Sequence, residues 1–138
     1  YHARLAAEIE AVRSAFGEAF VIDCHSMPAA SARGADIVLG DRYGASCSRA
    51  LVAHAEACFR ELGFAVVRNR PYAGGHTTEH YGRPETGVEA LQIEINRGLY
   101  LNEAEVSPSA GLPPLRRALT DWMTRMLALG RPQRIAAE

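Results

Sequence analysis

Asp36-Ile37-Val38-Leu39-Gly40, then an amphipathic run with Leu51, Ala55, Cys58, Phe59 and Leu62 on one side, then Phe64-Ala65-Val66-Val67-Arg68, decides the fold class. The two outer pieces are short apolar runs rich in β-branched residues, as strands are. The middle piece repeats apolar residues at helical spacing and ends at Gly63. Ser46 and Ser48 stand before it as candidate caps. Strand, helix and strand with short joins make a βαβ unit, which implies parallel pairing and a right-handed crossover. Asp41 to Ser46 form a polar, glycine-containing turn between strand and helix.

Upstream, Leu5, Ile9, Val12 and Phe16 mark a first helix stopped by Gly17. Phe20 to Asp23 reads as a buried strand and residues 24–34 as a loop. Downstream, residues 69–88 hold Pro71, Gly74, Gly75, Gly82, Pro84 and Gly87 and read as a long loop, a frequent carrier of function. Val88 to Asn96 reads as a fourth strand. Pro113 and Pro114 open a last helix with Leu115, Leu119, Trp122, Met126 and Leu129 inward, and the tail after Gly130 is expected to fray.

The chain has 138 residues, 48% hydrophobic and 22% charged, enough for one domain with a core. A net charge of −1 offers no basic footprint for nucleic acid and no pull toward an anionic membrane. All 15 basic residues are arginine, so lysine nucleophiles and Schiff bases are excluded. Cys24, Cys47 and Cys58 show no paired spacing, which fits a reducing cytoplasm. No apolar run has membrane-span length, and no signal peptide is expected. The chain opens at Tyr1 directly in helical pattern, which suggests part of a longer protein.

Two signals carry chemistry. In Val21-Ile22-Asp23-Cys24-His25-Ser26-Met27-Pro28, Asp23 and His25 are two apart and share one side of an extended chain. A carboxylate beside an imidazole fixes its tautomer and improves it as a metal ligand. In the fourth strand, Gln92, Glu94 and Asn96 alternate with Leu91, Ile93 and Ile95. A central parallel strand is normally apolar on both faces, so that polar row means either a wet edge or a cleft in which Glu94 is a general base. His2 and His54 read as solvated helix residues. His76 and His80 are four apart, which pairs ligands only on a helix, and the loop pattern argues against one. Cys24 and His25 point to opposite faces and cannot form a nucleophile–base pair. Arg68, Asn69, Tyr72, Tyr81 and Arg97 are candidates to bind an anionic substrate, arginine because its planar fork matches a carboxylate.

The segments at 21–28, 36–44, 68–75, 80–84 (His-Tyr-Gly-Arg-Pro) and 91–97 (Leu-Gln-Ile-Glu-Ile-Asn-Arg), in that order, resemble the N-formylglutamate amidohydrolases over residues 1–129. The resemblance implies an α/β fold, an α/β/α sandwich around a mixed, mostly parallel sheet, similar to the zinc carboxypeptidases. It implies that residues 1–138 are the C-terminal part of one such domain, with an early loop carrying two zinc ligands upstream of Tyr1. It implies zinc (Zn2+) as cofactor, His25 as its third ligand, Asp23 behind it and Glu94 as general base. Arg68, Asn69, Tyr72, Gly75, Tyr81 and Arg97 would hold the substrate carboxylates. The implied reaction is hydrolysis of N-formyl-L-glutamate to formate and L-glutamate, closing one route of histidine degradation. Another N-acyl amino acid as substrate, or a non-catalytic fragment, are the alternatives.

Overall fold

The computed structural model describes residues 1–129; the expected fraying after Gly130 lies outside them. Four helices and a four-stranded sheet build three layers. The strands are β1 (Ala19–Met27), β2 (Ile37–Gly40), β3 (Val66–Arg68) and β4 (Val88–Asn96), in the order β1-β4-β2-β3. β1 and β4 pair in parallel, as do β2 and β3, whereas β2 runs antiparallel to β4. The sheet is therefore mixed and mostly parallel. A two-stranded ribbon, β5 (Leu101–Asn102) and β6 (Ser107–Pro108), follows it.

Helices α2 (Arg49–Glu61) and α4 (Leu112–Leu129) cover one face. Ile37, Leu39, Leu91 and Ile93 of the sheet pack there against Val52, Ala55, Phe59, Trp122 and Met126. The Ser48 hydroxyl caps α2 by accepting from the Leu51 N–H at 3.2 Å. Ser46 is no cap: its buried hydroxyl donates to the Ala90 carbonyl at 2.9 Å and ties the turn to β4. Leu115, Trp122 and Met126 of α4 are buried as their spacing predicts, with Leu119 partly so, whereas Leu129, expected inward, is 48% exposed.

Helices α1 (His2–Phe16) and α3 (His76–Tyr81) cover the other face. There Ile9, Ala19, Tyr81 and Val88 pack with Leu5 and Val21. Gly17, at φ 85°, ends α1 in the left-handed conformation that glycine tolerates. The α1 stripe is only partly used. Val12 and Phe16 remain 41% and 77% exposed. They line an open apolar groove of about 1010 Å³ along the free edge of β1, with Phe20, Ile22, Leu51 and Met123.

Two expectations are corrected. β1 does not stop at Asp23 in a loop; it continues to Met27 because each residue from Ala19 to Met27 has a register partner on β4. It is an edge strand and only half-buried, since nothing described pairs with its outer side. The segment 69–88 is also not all loop, because His76–Tyr81 forms α3. Its buried Thr78 donates to the Gly75 carbonyl at 2.8 Å, and Tyr81 seats its ring in the apolar cluster. Among the described residues no helix is long and apolar enough to cross a membrane.

Candidate active site

β4 is central, so its polar row is buried. Gln92 and Glu94 are 4% and 7% exposed. In-register parallel pairing sets Asp23 beside Gln92 and His25 beside Glu94, all on the α1/α3 face toward the carboxyl ends of the two strands. The reading of this row as a wet edge does not hold.

Asp23 Oδ1 lies 3.0 Å from His25 Nε2. That contact occupies Nε2 and leaves Nδ1, which has no partner among the described residues, as the ring nitrogen His25 can offer a cation. The His25 side chain is half exposed and Asp23 largely covered, an orienting carboxylate behind a reachable ring. Glu94 Oε1 accepts from Gln92 Nε2 at 2.9 Å. Burial pushes the Glu94 carboxyl above its ordinary value, with Asp23 adding to the rise; His25, the Gln92 amide and Arg97 oppose it. A carboxyl raised in this way suits a group that must take and return a proton near neutrality. Gln92 Oε1 is buried without a hydrogen-bond partner, facing Gly75. A Cβ at Gly75 would stand 3.1 Å from that oxygen, so glycine is what lets the start of α3 lie against the site.

Arg97 follows β4 at the same end of the sheet. Its Nε donates to the Ser26 hydroxyl and its Nη2 to the Ser26 carbonyl, both at 3.2 Å, which leaves Nη1 for an anion. Tyr72 packs on Met27, Ala32, Ala35 and Val38, and Val38 is the register partner of Glu94 on β2. Tyr81 is buried on the same face, its hydroxyl 2.8 Å from His2 Nδ1.

Two expected substrate contacts are not at the site. Arg68 belongs to the opposite face: it pairs with Leu39 in register and is ion-paired with Glu56 of α2, its Nε donating at 2.6 Å. Asn69 spends its polar atoms on its own turn. Its Nδ2 donates to Asp41 Oδ1 at 2.6 Å, and its Oδ1 accepts from the Asp41 N–H at 3.1 Å. Cys24 faces away from His25, and burial and Asp23 push its thiol up. His54 is half-buried beside Cys58 Sγ at 3.3 Å rather than solvated.

The sequence reading missed the gathering of His2, His76 and His80. The i, i+4 spacing of His76 and His80 is the available signal, and the flanking glycines mask it by reading as loop. For a metal, the donor set is incomplete. Among the described residues no group of three His, Cys, Asp or Glu is arranged to hold an ion. His25 is suited as one donor, and zinc takes three from protein.

A family model described as N-formylglutamate amidohydrolase matches residues 1–101. The chain is 37% identical over 139 residues to an N-formylglutamate deformylase of Pseudomonas aeruginosa, covering 95% of this chain and 52% of that protein. It is 33% identical over 111 residues to one of Pseudomonas putida, covering 76% of this chain and 42% of that protein. Among solved structures, an N-formylglutamate amidohydrolase from Ralstonia eutropha superimposes with a TM-score of 0.84 at 35% identity, over 94% of this chain and 49% of that one. The chain spans about half the length of the curated relatives it matches.

Proposed function

The chain belongs to the N-formylglutamate amidohydrolase family, and on that premise we propose that the protein containing it hydrolyses the formamide bond of N-formyl-L-glutamate, releasing formate and L-glutamate. The observation that carries this reading is the register pairing of His25 with Glu94 on one face, with Asp23 behind the imidazole. The same reading makes residues 1–138 the C-terminal part of one domain and places the reaction at the close of a cytoplasmic route of histidine degradation.

His25 would offer Nδ1 to a zinc ion whose other ligands come from outside these 138 residues. Bound there, zinc would polarise the formyl carbonyl and lower the pKa of water. Asp23, 3.0 Å from Nε2, would orient the ring and favour the tautomer that leaves Nδ1 for the metal. Gln92 holds Oε1 of Glu94, so the carboxylate presents Oε2 to the substrate. Glu94 takes the proton of the attacking water and delivers it to the departing amine nitrogen, so proton gain and loss balance over one turnover. Arg97 binds a substrate carboxylate through Nη1.

The test is formate release by the full-length protein, with N-acetyl- and N-succinyl-glutamate as competitors for the assignment. Turnover of the formyl compound alone supports the proposal. Release of acetate or succinate at a comparable kcat/KM would move the function to a broader N-acyl amino acid hydrolase. Asp23→Asn removes the charge behind the ring and is expected to lower metal affinity or activity by about 10–100-fold. Metal content and kcat measured together check this, and unchanged values for both would remove Asp23 from the role.

A further inference from the structure

The proposed mechanism leaves four imidazoles unused, and three of them gather at one place. His76 and His80 stand one turn apart on α3, with ring centroids 5.2 Å apart. His2, at the start of α1, brings a third ring to 5.0 Å from the first and 6.3 Å from the second. The Tyr81 hydroxyl at His2 Nδ1 steadies that ring. All three histidines are exposed. Glu79, on the same short helix, is committed to Arg42 at 3.0 Å. Among the described residues no side chain bonds to His76 or His80, so their ring N–H groups are open to a ligand.

Their place in the fold points to that ligand. Gly75 lies against Gln92, and Gln92 holds Glu94. Glu94 is thus linked through Gln92 to Gly75, the residue immediately before His76. An N-formyl dicarboxylic amino acid carries two negative charges there. Arg97, close enough to Glu94 to lower its carboxyl pKa, suits the α-carboxylate, which sits on the carbon bearing the amide. The side-chain carboxylate extends further and needs a second grip. Arg68 does not supply it, being held by Glu56 on the opposite face.

We propose that His2, His76 and His80 form a carboxylate-binding subsite beside Glu94 that receives the side-chain carboxylate of a dicarboxylic N-acyl amino acid. This rests on the function proposed above and names its specificity element. Imidazole N–H groups donate to the carboxylate.

The experiment compares N-formylglutamate with N-formylglutamine, its isostere with an uncharged side chain, on the full-length protein and on a His76→Ala/His80→Ala variant. Both histidines are exposed, so the variant keeps its fold. KM for N-formylglutamate is expected to rise about 10-fold or more with kcat near the parental value, as loss of bonds to a charged group implies. KM for N-formylglutamine is expected to change far less. An equal effect on both substrates, or none, overturns the subsite. A second readout needs no turnover: the imidazole resonances of His76 and His80 shift when L-glutamate is added and stay in place with L-glutamine. If the parent protein hydrolyses neither formyl compound but those resonances shift, the proposed function falls and the subsite stands. No shift with glutamate removes the subsite whatever the activity.

Discussion

Glu94→Gln in the full-length protein is expected to lower kcat for formate release by about 10²–10⁴-fold, the range general-base catalysis contributes. Gln has nearly the same shape and can still bond to Gln92, but it does not take a proton. Metal content is expected to stay at the parental level, because Glu94 is not a ligand in this account. The same substitution has a stability signature of known sign. Burial raises the Glu94 carboxyl above its ordinary 4.5. Above that raised value the folded state carries a disfavoured carboxylate, and the cost is then fully present. It disappears as pH falls toward the unfolded value, because the folded state then binds its proton first. Glu94→Gln removes that cost. The variant is expected to unfold at the same or a higher denaturant midpoint at pH 7, and to lose the parent's gain on mild acidification. A midpoint well below the parent's would show that the buried carboxylate is a stabilising group instead.

Trp122→Ala is expected to destabilise the fold by about 3–5 kcal/mol, the usual range for removing a large buried aromatic. Trp122 is 1% exposed and stacks on Phe59 with centroids 4.5 Å apart and planes within 15°. Its Nε1 donates to the Ala55 carbonyl at 3.0 Å, so one side chain joins α4 to α2 by packing and by a buried hydrogen bond. The variant loses both and leaves a cavity under the sheet. The site lies on the opposite face, so the KM of the folded protein is expected to hold. Denaturant unfolding gives the first quantity and initial rates the second. A loss below about 1 kcal/mol would mean that α4 is not seated as described.

The parts legible in the sequence were those with a local cause. The alternation of Leu91, Ile93 and Ile95 with Gln92, Glu94 and Asn96 marked β4 residue for residue. The βαβ unit from Asp36 to Arg68 carried its own stripe and stops, and it pairs in parallel. What was hidden depended on distant partners. The polar end of β1, through His25 and Ser26, has little strand signal and is extended because β4 lies beside it. Helix α3 spans six residues between Gly75 and Gly82, too few for a periodic pattern to outweigh two glycines. It is held by burial of Thr78 and Tyr81. The antiparallel junction of β2 with β4 follows from the path of residues 69–87, which no local pattern encodes. Arg68 and Asn69 look like substrate ligands by type. Only the positions of Glu56, twelve residues away, and of Asp41 show that both are occupied.

The central claim is that Asp23, His25 and Glu94 make one reaction site on the α1/α3 face. A crystal structure of the full-length protein with formate and L-glutamate bound tests it most directly. The account predicts formate and the glutamate amine within hydrogen-bonding reach of the Glu94 carboxyl, on the side where His25 presents Nδ1. Products seated instead in the apolar groove beside Phe16 and Leu51, with Glu94 touching neither, would contradict it.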